Sequence, residues 1–152
     1  MTAAKDSATA SGGFTLIEML LSVTIIGMLS GMSIPVYESF VRRNDLDLAA
    51  QTIASTLRRA ETYARNQNSD DAWSVEVQTD TVTLFEGTNF AGRDTTNDET
   101  YSLPDSVTPS GLSEVQFAKF SATPNTTGSI TLTSSTNDTR TVTVNAKGMV
   151  DY

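Results

Sequence analysis

Apolar residues run almost without pause from Phe14 to Ile34, and from Met19 to Tyr37 the chain carries no charge. Wound as a helix at ~1.5 Å per residue, Phe14 to Ile34 covers about 31 Å, the thickness of a bilayer core. Beyond Pro35 the apolar positions thin to a stripe. Leu46, Ala50, Ile53, Leu57, Ala60 and Ala64 recur every three or four residues, while Arg42, Arg43, Asp47, Arg58, Glu61 and Arg65 lie largely off that line. This spacing predicts an amphipathic helix that lays one face on a sheet and ends near Asn66–Ser69. From Ala72 the period changes to two. Segments 73–78 and 81–86 read as a hairpin turning at Thr79-Asp80, with further strands at 115–120, 129–133 and 140–145 and a turn at Asn137-Asp138. The pattern as a whole predicts an α+β chain, a long N-terminal helix packed on an antiparallel sheet.

Three features interrupt the apolar run. Glu18 sits near its start, and an ionised carboxylate in hydrocarbon is costly without a partner, so it marks a functional residue. Gly27 and Gly31 form a Gly-x-x-x-Gly pair that weakens the helix and allows another helix to approach closely. Pro35 lacks an N–H and clashes one turn back, so the helix is expected to bend or open there. The Gly pair alone is a weak motif, and ordinary transmembrane glycine is its plain reading.

The junction before the run is more specific. Gly13-Phe14-Thr15-Leu16-Ile17-Glu18, behind a short polar leader, resembles the processing site of type IV prepilins and pseudopilins. The order that follows, a long helix, a hairpin, a variable loop, then Phe117, Gly128–Thr133 and Arg140–Val150 with Gly148 before a hydrophobic residue, is similar to the GspH/FimT-type minor pseudopilins. The resemblance implies a pilin-like division into a leader (1–13), an N-terminal hydrophobic transmembrane and spine helix (14–41) and a globular head (42–152). It implies that a prepilin peptidase cuts between Gly13 and Phe14 and methylates the new Phe14 amine. Glu18 becomes the assembly carboxylate, paired with a terminal amine, and the Gly27–Gly31–Pro35 stretch is where the helix loosens as subunits pack. Implied partners are other pilins or pseudopilins in a helical filament, an inner-membrane assembly platform, and membrane lipid before assembly. The implied location is a single-pass cytoplasmic-membrane protein with its head outside, then a periplasmic pseudopilus or a surface pilus.

Alternatives remain beside that reading. A secretory signal has a shorter apolar core and is cut after it, whereas this junction lies before the run. A plain anchor explains the length but neither Glu18 nor the leader. The flanking charges, Lys5 against Asp6 before the run and Arg42-Arg43 after it, lean weakly toward a cytoplasmic C-terminus, opposite to the family. An adhesin using the loop 87–113 and a DNA-binding minor pilin are the competing functions.

Composition narrows the chemistry. Among 152 residues there is no Cys and no His, which removes disulfides, thiolate sites and the commonest general base and metal ligand. With no nucleophile–base set either, the chain reads as a non-enzyme with no cofactor and no metal. A net charge of −8, with only Arg140 and Lys147 basic near the C-terminus, disfavours nucleic acid. The acids from Asp94 to Glu99, and Asp70-Asp71, lack any fixed calcium-loop spacing and read as solvated. Arg58-Arg59 reads as a solvated helix face sooner than as a basic patch.

Overall fold

The computed structural model describes residues 13–66 and 71–152, with the side chains of 32–36 outside the description. The leader before Gly13, positions 67–69 of the stretch where the helix is expected to end, and the Asp70 half of the Asp70-Asp71 pair lie outside the described residues; the helix itself ends at Asn66, within that stretch. The chain divides into two compact units between Glu38 and Ser39, where the sequence places the boundary at 41–42.

Helix α1 spans Leu16–Asn66 and belongs to both units. Its helical backbone is assigned without a break through Pro35, so the opening expected there does not interrupt the element. In the second unit its stripe is buried as expected: Leu46, Ala50, Ile53, Leu57, Ala60 and Ala64 are at most 2 % exposed, joined by Ala49, Ala54 and Thr56. Five alanines share that face with Leu46, Ile53 and Leu57, and all of them belong to the apolar cluster of the head.

The helix packs on antiparallel strands as expected, and the strands form two sheets. Strands β1 (Trp73–Val77), β2 (Thr81–Glu86), β3 (Glu99–Ser102) and β5 (Glu114–Phe117) form the first, in the order β3-β2-β1-β5. Strands β4 (Val107–Gly111), β6 (Gly128–Ser134), β7 (Thr139–Val144) and β8 (Val150–Asp151) form the second, in the order β4-β6-β7-β8. The hairpin β1–β2 pairs Trp73 with Glu86 and Val77 with Val82, placing Trp73, Val75, Val77, Val82 and Leu84 on the inner face. Ile130, Leu132, Val142 and Val144 do the same for the second sheet, and one apolar cluster joins both to α1.

Strands β3 and β4 were not expected, and β5 ends at Phe117 rather than at 120. The early end has a local cause. Phe120 (φ 69°) and Ala122 (φ 50°) are left-handed, the Ser121 N–H donates to the Lys119 carbonyl, and the Phe120 N–H donates to Ala64 at the C-terminal end of α1. That turn satisfies one of the carbonyls a helix leaves open at its end. The switch between sheets depends on Gly111 (φ +97°), where an added Cβ would lie 2.3 Å from the Ser129 carbonyl oxygen.

Candidate functional site

In the N-terminal unit α1 starts directly after the Gly13-Phe14 junction. Thr15 caps it: its Oγ1 accepts from the Glu18 N–H at 3.3 Å, and its carbonyl accepts from the N–H groups of Glu18 and Met19, each at 3.1 Å. Glu18 is thereby the acid of the first turn, at the N3 position of a Thr-x-x-Glu start, where the helix dipole favours negative charge. Sequence reasoning found Glu18 by its offset from the junction and passed over Thr15, although that four-residue signature was available.

Every large apolar side chain described on this stretch is exposed, from Phe14 (77 %) and Ile17 (75 %) to Met28 (69 %). They point to all sides of the helix, not along one stripe. A helix apolar all round is suited to burial in a larger assembly or in lipid, not to water. The hydroxyls among them are bonded locally: Ser22 Oγ donates to the Glu18 carbonyl (2.7 Å), Thr24 to Leu20 (2.7 Å) and Ser30 to Ile26 (2.8 Å). Gly27 and Gly31 each cost about 1 kcal/mol of helix stability relative to Ala. Among the described residues no atom beyond the local helix backbone lies within 4 Å of where their Cβ would be, and neither has positive φ, so none of the described residues requires a glycine there. Among the described residues, no helix is both long and apolar enough to cross a membrane. The expected span, Phe14 to Ile34, includes positions 32–34, whose side chains lie outside the description.

The head carries its polar groups in structural contacts. Arg59, weighed as part of a basic patch, donates to Tyr63 Oη (3.0 Å), Tyr101 Oη and Glu99 Oε2, and Tyr101 Oη donates to Glu99 at 2.6 Å. This cluster fastens α1 to β3. The Tyr63 hydrogen bond, with Glu99 and Tyr101, raises the Arg59 pKa. The bond from Tyr101, then Arg59, holds the Glu99 carboxyl below its ordinary value, and the same bond raises the Tyr101 phenol. Arg58 donates to the Val150 carbonyl (2.9 Å) and lies 5.2 Å from the Tyr152 ring centre. Neither arginine is a plain solvated side chain, and both are engaged within the head.

The acidic loop is likewise organised. Asp94 caps a short 3₁₀ turn, Thr95–Asn97, by accepting from the Thr96 N–H and hydroxyl, which lowers its pKa. Asp98 pairs with Arg93 at 2.8 Å, and the Arg93 guanidinium lies 3.5 Å from the Phe90 ring centre. Phe90 packs edge-on against Phe85 at 5.5 Å, so the loop folds over the outer face of the first sheet. Asp71 accepts from the Ala72 N–H at 2.7 Å. Among the described residues no group of three or more metal-ligating side chains is set to hold an ion. Arg140 pairs with Asp47 at 2.7 Å beside a cleft of about 320 Å³ lined by Leu48, Gln51 and Tyr152.

This architecture, one long helix with a bare apolar start and a packed antiparallel head, is type IV pilin-like. Residues 9–34 match the prokaryotic N-terminal methylation motif. The fold is similar to the crystal structure of the type IV minor pilin FimU of Pseudomonas aeruginosa strain PAO1, with a TM-score of 0.59 at 17 % identity. The match covers 74 % of this chain and 90 % of that one. At that identity the likeness concerns the fold, and the motif carries the N-terminus.

Proposed function

We propose that the chain is a structural subunit, a minor pilin or pseudopilin of the GspH/FimT kind, in a type IV pilus or a type II secretion pseudopilus. A prepilin peptidase cuts between Gly13 and Phe14 and methylates Phe14. The apolar helix holds the subunit in the cytoplasmic membrane with its head outside, and an assembly platform then moves it into a filament beside other pilins. In that filament Glu18 pairs with the terminal amine of a neighbour, which relieves the desolvation of both charges and fixes axial register. Gly27, Gly31 and Pro35 give the helix its close approach and its loosening during packing.

The observation that carries this reading is the apolar helix start exposed on all sides, on a chain whose head buries its own apolar cluster. Such a surface needs a large apolar partner, and lipid followed by a bundle of like helices supplies one in each state. The decisive experiment is intact-mass and N-terminal analysis of the mature protein from cells with and without the prepilin peptidase. The expected product begins with N-methylated Phe14 only where the peptidase is present. A chain starting at Met1 in both would overturn the proposal.

A further inference from the structure

The structure shows where the helix stops, and the place is informative. Gly13 and Phe14 are exposed and outside α1, whose first residue is Leu16. Thr15 holds that boundary through its hydroxyl, which accepts the Glu18 N–H, and through its carbonyl. Hydrolysis at the junction breaks the bond from the Gly13 carbonyl carbon to the Phe14 nitrogen. Water adds its oxygen to that carbon and a proton to the departing nitrogen. An enzyme must therefore reach the face of the Gly13 carbonyl, which is hidden when the peptide is wound into a helical turn and its carbonyl is hydrogen-bonded.

We propose that Thr15 is a positioning residue for processing: by capping α1 it keeps the Gly13–Phe14 peptide unwound and within reach of the peptidase. This rests on the processing reading above and adds a residue to it. Replacing Thr15 by Ala removes the acceptor and installs the strongest helix former. The next hydroxyl upstream able to cap is Ser11, so the first turn can then extend across the junction. Gly12 and Gly13 resist that extension, which keeps the effect moderate.

The test is a time course of cleavage of the full-length chain in membranes by the prepilin peptidase, read by mass, for wild type, Thr15→Ala, Thr15→Ser and Thr15→Asn. Thr15→Ala is expected to slow cleavage about fivefold, the rate equivalent of about 1 kcal/mol at 1.36 kcal/mol per decade. Ser and Asn, both strong caps of different shape, are expected to restore the wild-type rate. Thr15→Ala cut as fast as wild type would overturn the inference. So would rescue by Ser but not Asn, which would instead make the hydroxyl a direct contact of the enzyme. A wild-type chain left whole overturns the processing reading itself, an outcome separate from either of these.

Discussion

Leu57 offers a sharp test of how the molecule divides into a packed head and a bare helix. Its side chain is 0 % exposed, on the face of α1 that the two sheets cover. Transfer of a leucine side chain into a core is worth about 1.5–3 kcal/mol, and a residual cavity adds to the loss when the site cannot collapse. Its neighbours on the stripe, Ala54 and Ala60, have no side chain long enough to fill the space, so Leu57→Ala is expected to cost about 3–4 kcal/mol. For a head of this size that lowers Tm by about 10 °C or more. Trp73, the single tryptophan, is 4 % exposed and packs edge-on against Tyr63 at 4.8 Å, so its emission reports unfolding of the head alone. The control is Leu20→Ala on the bare segment, where the side chain is 60 % exposed and the expected shift of the head transition is within about 0.5 kcal/mol. Denaturant titrations of both variants in detergent, followed at Trp73, decide the matter. A shift for Leu57→Ala no larger than that for Leu20→Ala would refute the account of the core.

Other outcomes follow from single residues. Glu18→Ala is expected to leave cleavage and insertion intact while sharply lowering incorporation into filaments, scored by the fraction of mature subunit in sheared or purified fibres. Gly111→Ala combines a left-handed backbone with a Cβ 2.3 Å from a carbonyl oxygen, so it should cost about 2–4 kcal/mol and loosen β4, seen as faster amide exchange at its pairing with β6. Glu76 faces Glu114 across β1 and β5, and burial, with that like charge added and Arg93 opposing, raises its pKa. A raised carboxyl pKa means that the folded state holds the proton more tightly. Wild type therefore gains stability as pH falls through that value and keeps the full gain below the unfolded value near 4.3. Glu76→Gln should thus be more stable than wild type at pH 7, with the advantage shrinking toward pH 4. An advantage of equal size at both pH values would contradict this.

The parts of the fold that could be read from the chain are those where burial is strictly periodic. The alanine-rich stripe from Leu46 to Ala64 keeps a helical period because one face is wholly covered, and β6 and β7 alternate because each has one face on the core; β1 and β2 keep the apolar alternation of their inner face although Ser74, Thr83 and Phe85 on the other face are buried too. Strands β3 and β4 escaped notice because they are edges. Strand β3 buries no residue, with Glu99 and Tyr101 half-buried on one face and Thr100 and Ser102 exposed on the other, and β4 carries Pro109, which an edge tolerates and a central strand does not. At the N-terminus the methylation motif was legible because its chemistry and spacing coincide within a few residues. The clasp of Arg59 with Tyr101 and Glu99 was not, since its partners lie 40 and 42 positions away and meet only after the sheet forms. Thr15 stands between these cases: its hydroxyl signature is local, but its meaning depends on where the first turn begins.

The three hydroxyls that Ser22, Thr24 and Ser30 turn back onto their own backbone have a consequence for movement. Any neighbour sliding along these turns meets hydrocarbon, because the polar atoms are already matched inside the coil. In the passage from lipid to filament proposed above, none of these bonds would break, and the segment would change its surroundings without rewiring itself.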